Sequence, residues 1–191
     1  MEVRAEMKEE ISELRQPAIK KKSEVWGWIR FILLLTLAFI LINNMIGLTK
    51  VSGNSMNPSL QNGNVLLMNK ISLFFSTPKY GDVVVIKDER LGFSIIKRVI
   101  AVQGDRVLIR DGVIFVNETP LPELYTAGKS EDMAMQTIPS GHLFVVGDNR
   151  NLGESKDSRD PSLGPVHIKD VKGYAVFSLL PMHRIAEPLD L

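Results

Sequence analysis

Val107-Leu108-Ile109-Arg110-Asp111-Gly112-Val113-Ile114-Phe115-Val116 holds two apolar runs joined by an Asp-Gly pair. Such a pair between β-branched and aromatic residues marks a tight hairpin, because both central turn positions need positive φ. Outward from it the pattern recurs. Residues 64–69, 82–86 and 93–102 come before it, and 142–146 and 171–179 after it, each rich in Val, Ile or Leu. Gly81-Asp82, Gly104-Asp105 and Gly147-Asp148 punctuate these runs. Many strands with short turns and little helix predict a mostly β domain over residues 49–191. Its expected form is coiled antiparallel sheets closing partly into a barrel. Residues 118–141, with Thr119-Pro120-Leu121-Pro122 and Pro139-Ser140-Gly141, read as a long excursion between strands.

The chain ahead of this domain is of another kind. Residues 1–24 are polar and of mixed charge, with Val3, Met7, Ile11 and Leu14 forming a narrow apolar stripe at helical spacing. Pro17 is expected to end that helix. The segment is either a solvated tail or a partner-binding helix. Residues 25–48 are apolar, with 31–42 an unbroken core, about enough to cross a bilayer of roughly 30 Å. Trp26 and Trp28 suit the membrane–water boundary, and Arg30 can reach back to it. Arg15, Lys20, Lys21 and Lys22 flank the near end, against Lys50 at the far end. The positive-inside rule then predicts a single-pass protein of the plasma membrane, with a cytoplasmic N-terminus, an extracytoplasmic β domain and lipid as a partner. A cleaved signal peptide is the competing reading, but no small-x-small site follows the apolar core.

Composition removes several classes of function. A net charge of +1 gives no basic footprint for nucleic acid. The absence of cysteine excludes disulfides, thiolate metal sites and a Cys nucleophile. The three histidines, His142, His167 and His183, do not form a metal-ligand pattern. No metal and no cofactor are expected.

Three stretches carry candidate chemistry. Ser52-Gly53-Asn54-Ser55-Met56-Asn57-Pro58-Ser59-Leu60 places Ser55 in a Gly- and Pro-bounded turn, where a hydroxyl can be exposed and an N–H offered to an oxyanion. An ordinary turn has the same composition. A hydrolytic serine needs a base, and none of the histidines has a companion acid at a telling spacing. A neutral lysine is the alternative, which requires burial to depress its pKa. Lys97 lies in Phe93-Ser94-Ile95-Ile96-Lys97-Arg98-Val99-Ile100-Ala101-Val102, on the strand face of Ile95 and Val99. The competing reading is an edge-strand lysine with its ammonium in water. The third stretch, 147–159, is dense in hydrogen-bonding groups. Asp157 and Arg159 suit a charge pair, and Ser155 suits the orientation of a nearby amine.

In order, these stretches resemble the type I signal peptidases, membrane-anchored Ser/Lys proteases, from the apolar segment to about residue 178. Ser52–Leu60 resembles the family's nucleophile box and Gly81-Asp82-Val83-Val84-Val85-Ile86 its next strand. Lys97-Arg98-Val99-Ile100-Ala101 resembles its lysine box, and Gly147-Asp148-Asn149-Arg150 with Asp157-Ser158-Arg159 its last box. The step through Asn151-Leu152-Gly153-Glu154 is about two residues longer than usual. The resemblance implies Ser55 as nucleophile, Lys97 as general base, and Ser155, Asp157, Arg159 and Asp148 as support. Where some members carry an oxyanion-hole serine this chain has Gly53, so the hole is expected to rest on backbone N–H groups, including that of Ser55. Met56, Leu60, Ile95 and Ile96 are expected to line shallow pockets for small residues. The implied activity is removal of signal peptides from exported preproteins after Ala-x-Ala type sites. Two alternatives remain: a self-cleaving repressor-type Ser/Lys protease, and an inactive anchored β module that binds peptides or envelope partners.

Overall fold

The computed structural model describes residues 2–87 and 92–186. Helix α1 spans Glu2–Met45. It continues through Pro17, where an end was expected. A proline removes one backbone donor, and helix-favouring residues on both sides can carry the helix past it. Within α1, Glu24–Met45 is 22 residues long with mean hydropathy 2.3, long and apolar enough to span a bilayer. Ile46–Leu48, read from sequence as the end of the apolar span, belong instead to the first strand.

From Met45 onward the chain forms a separate compact unit. Its strands are β1 (Ile46–Lys50), β2 (Val65–Asn69), β3 (Val83–Lys87), β4 (Ser94–Val102), β5 (Arg106–Arg110) and β6 (Val113–Val116). They continue with β7 (Thr119–Pro120), β8 (Met133–Thr137), β9 (His142–Val146), β10 (Val166–His167), β11 (Val171–Leu180) and β12 (Met182–Arg184). The larger sheet runs β1-β2-β11-β3-β4-β9-β10, with β12 on β11, and the smaller runs β7-β6-β5-β8. Every pairing between these strands is antiparallel. The mostly β class with a curled antiparallel sheet is therefore as the sequence predicts, and the 107–116 hairpin forms with Asp111 and Gly112 both at positive φ.

The 118–141 excursion is not strand-free, since it contains β7 and β8. β8 is largely exposed and bonds through its backbone to β5, so burial imposed no apolar alternation on its sequence.

Strand β4 organises the core. Ile96 packs in one cluster with Met56, Leu60, Leu66 and Val85. Ile95 and Val99 pack in a second with Val84, Ile86 and Val145. Ile100 and Ala101 enter a third with Val107, Ile114 and Phe144. One strand thus ties three apolar groups together, and burying each large side chain contributes roughly 1.5–3 kcal/mol. β4 also lies between β3 and β9. Lys97 is therefore on an interior strand, and the edge-lysine alternative does not hold.

Candidate active site

The turn carrying Ser55 is fixed from beneath. Met56 and Leu60, only 1% and 0% exposed, anchor it in the first apolar cluster. Asn57 N–H donates to the Asn54 carbonyl at 3.0 Å, and Leu60 N–H to Met56 at 2.8 Å. Gly53 has φ +95°, which favours glycine, and its N–H donates to Asn62 Oδ1 at 3.1 Å. The Gly53 amide is thereby engaged. The Ser55 N–H has no acceptor among the described residues.

Lys97 Nζ lies 2.6 Å from Ser55 Oγ. The lysine is 2% exposed. Burial pushes its amine down to about 8, against an upward pull from Asp157 and, more weakly, Asp148, while Arg159 adds to the lowering. None of the three histidines bonds to Ser55. His142 and His167 face each other across β9 and β10, and His183 contacts the carbonyls of Pro181 and Ser59.

The stretch 147–159 forms the wall beside this pair. Asn149 N–H donates to the Ser55 carbonyl at 3.0 Å, and Asn149 Nδ2 to the Asn54 carbonyl at 3.2 Å. Asp157 receives Arg159 through two parallel bonds, Nε at 2.9 Å and Nη2 at 2.8 Å, with Gly147 N–H at 3.0 Å. Burial raises the Asp157 carboxyl, but Arg159, the Gly147 amide and Ser155 outweigh it and hold the group below the usual carboxylate range. Ser155 Oγ donates to Asp157 Oδ2. The amine-orienting contact expected of Ser155 is thus not made directly: its hydroxyl is directed to the carboxylate. Asp148 is fully buried and receives Arg98 bidentately, at 2.9 and 2.7 Å.

Gly147 is where the pieces meet. A Cβ built on it would lie 2.3 Å from both the Ser55 carbonyl oxygen and Ser155 Oγ. Gly147→Ala should therefore displace the Ser55 turn or the 155–157 wall. A shift of about 1 Å at reacting atoms can lose around 100-fold in rate, and overpacking of this kind costs roughly 1–3 kcal/mol. Parallel measurement of kcat and thermal midpoint checks this, and an unchanged kcat would refute it.

Of the residues expected to line substrate pockets, Met56, Leu60 and Ile96 share one cluster. Ile95 does not join them, because strand alternation sends it into the cluster on the other face. Sequence reasoning missed Glu123, which grips Arg150 bidentately and is 11% exposed, and Tyr125, whose hydroxyl donates to Glu123 Oε1 at 2.9 Å. The Tyr125 ring also lies 4.1 Å from the Arg98 guanidinium carbon. A Glu-x-Tyr pair inside a Pro-bounded stretch carries no periodic signal, so nothing local distinguishes these residues.

Comparison with known proteins gives consistent matches. Residues 25–180 match the family model described as signal peptidase, peptidase S26. Thylakoidal processing peptidase 1 of Arabidopsis thaliana is 33% identical over 73% of this chain and 43% of its own length. A signal peptidase I of Bacillus licheniformis is 28% identical over 89% of this chain and 96% of its own. Signal peptidase I P of Bacillus subtilis subsp. natto is 32% identical over 87% and 95%. The chain spans about two fifths of the length of the two thylakoidal peptidases that it matches. A crystal structure of a signal peptidase I from Enterococcus faecalis is 28% identical, with a TM-score of 0.46 over 53% of this chain and 98% of that one.

Proposed function

The chain belongs to the signal peptidase family, peptidase S26, and from that premise we propose that it is a membrane-anchored serine endopeptidase that removes signal peptides from exported preproteins. The observation that carries the mechanism is the 2.6 Å approach of Ser55 Oγ to the buried Lys97 Nζ. In this reading the neutral Lys97 amine accepts the Ser55 proton as Oγ bonds to the scissile carbonyl carbon. The oxyanion takes the unused Ser55 N–H. Collapse breaks the C–N bond, and Lys97 passes its proton to the departing amine. Water then attacks the acyl-Ser55 ester, giving its proton to Lys97. As the acid leaves and the C–Oγ bond breaks, Lys97 returns that proton to Ser55 Oγ, which restores the hydroxyl and the neutral amine.

The 147–159 wall acts on geometry rather than on bonds. Asp157, neutralised by Arg159, fixes Ser155 and the Gly147 amide, and Gly147 abuts the Ser55 turn. Met56 and Leu60, expected to line the pocket for small residues, are buried beneath the Ser55 turn instead and support it from the core. The same proposal puts the N-terminus in the cytoplasm, α1 across the plasma membrane and the β domain outside, where signal peptides emerge.

The test is cleavage of a preprotein bearing an Ala-x-Ala site by detergent-solubilised protein, wild type beside Ser55→Ala, from pH 6 to 10. With Lys97 near 8 the active neutral form is about 10% at pH 7 and about 90% at pH 9. Cleavage should thus rise close to tenfold over that interval and vanish in Ser55→Ala. Cleavage surviving in the variant would remove Ser55 from the reaction. A folded wild type that binds the preprotein without cutting it would favour the binding module.

A further inference from the structure

We propose that Glu123 is a positioning residue for the Ser55–Lys97 pair, acting through Arg150; the inference rests on the peptidase reading above. Arg150 is almost wholly buried and divides its guanidinium between two tasks. Its terminal nitrogens hold both oxygens of Glu123, and its Nε donates to the Gly147 carbonyl at 2.8 Å. Gly147 is the residue on which the Ser55 carbonyl and Ser155 close most tightly. A chain of contacts therefore runs from Glu123 through Arg150 and Gly147 to the Ser55 carbonyl on one side and to Ser155 on the other.

The segment around Glu123 fastens the same three stretches by other bonds. Ser59 Oγ donates to the Tyr125 carbonyl at 3.3 Å, and Pro58 bridges to Thr126, which ties in the nucleophile turn. Arg98, next to Lys97 in sequence, stacks on Tyr125. Ala127 N–H donates to the Asp148 carbonyl at 3.0 Å, and Arg150 N–H to the Ala127 carbonyl at 2.7 Å. The excursion thus clamps the nucleophile, lysine and wall segments at one place, and Glu123 is its one charged anchor there. Tyr125 stays a neutral donor to Glu123, because burial and then the Glu123 charge push its phenol up.

Without the Glu123 carboxylate, Arg150 is left buried with an unmatched charge. The Gly147 carbonyl then loses its fixed donor and the wall loosens. Water reaching Lys97 would restore part of its hydration, and its amine would rise toward the ordinary value. The charged groups facing Lys97 are Asp157, Asp148 and Arg159, all on the wall. Those facing Glu123 are Arg150 and the phenols of Tyr125 and Tyr80. None of the Glu123 group touches Lys97, so an effect on its titration must travel through the wall.

The experiment is the pH–rate profile of full-length Glu123→Gln, with Glu123→Asp and wild type, from pH 6 to 10 on the same preprotein. Expected for Glu123→Gln are a kcat at least about tenfold lower at pH 8, KM within about twofold, and a profile midpoint raised by about half a unit or more. Glu123→Asp should recover part of both. Loss of folded protein would scale the rate equally at every pH, so a lower rate with an unmoved midpoint overturns the proposal, as does a wild-type profile. Should Glu123→Gln fail to fold, Tyr125→Phe removes a single hydrogen bond to the carboxylate. It must then shift the midpoint in the same direction, and an unmoved midpoint overturns the proposal there too. A wild type that does not depend on Ser55 would instead defeat the peptidase reading, independently of Glu123.

Discussion

Lys97→Met should reduce signal-peptide cleavage by on the order of 10³–10⁴-fold while leaving the protein as stable as wild type, or more so, at pH 7. The loss follows from removing a positioned general base. The stability follows from linkage. In the folded protein Lys97 deprotonates near 8, against 10.5 when exposed. Between those values the unfolded chain binds the extra proton, so wild-type stability rises with pH across that window. Below it both states are protonated, and the folded state bears the full penalty of a buried ammonium. That penalty is on the order of 3 kcal/mol from the shift alone. Methionine fills the same space without the charge. Denaturant unfolding at pH 7 and pH 10 decides the matter: the wild type should gain stability at the higher pH relative to the variant. A variant strongly destabilised at pH 7 would mean that the ammonium, held by Asp157, stabilises the fold.

Asp148→Ala should have the largest effect on stability. Asp148 is 0% and Arg98 1% exposed at the side chain, and two parallel bonds join them. Removing one member of a buried pair leaves the other charged and unpaired, at a cost of roughly 3–5 kcal/mol. For a domain of this size that is about 10 °C in thermal midpoint. Arg98 also donates to the Gly81 carbonyl at 2.9 Å and stacks on Tyr125, so its disorder would spread into the turn before β3 and into the 123–127 segment. Replacing both partners, Arg98→Met with Asp148→Leu, should restore much of the stability, because no charge is then stranded. A fall in midpoint under about 3 °C for Asp148→Ala would show that Arg98 finds solvent or another acceptor.

Which features the sequence carried depends on how local their cause is. The 107–116 hairpin was legible because turn and strands are contiguous. The β4 lysine was legible because an ionisable residue inside Ile-Ile-x-x-Val-Ile violates the apolar run. The Ser55 turn was legible mainly through its resemblance to a known box. Arg98 and Asp148 were both in view, but their pairing was not, since fifty positions separate them. β8 escaped because exposed strands need no alternation, and β1 because Ile46–Leu48 simply extend the apolar run of α1. Glu123 escaped for the plainest reason: a lone carboxylate between prolines and a tyrosine is indistinguishable from any solvated loop until Arg150 is brought to it. Ser155 shows another limit: it was expected to orient the lysine amine, and its hydroxyl donates to Asp157 instead.

The strand order has a consequence for timing. β2, which follows the Ser55 turn, and β3, which precedes the Lys97 strand, are not neighbours; β11 lies between them. Ribosomal synthesis delivers β11 more than seventy residues after Lys97. Until then the halves of the larger sheet that carry Ser55 and Lys97 have no strand to join them. The larger sheet is therefore joined across its middle only once Val171–Leu180 has been made.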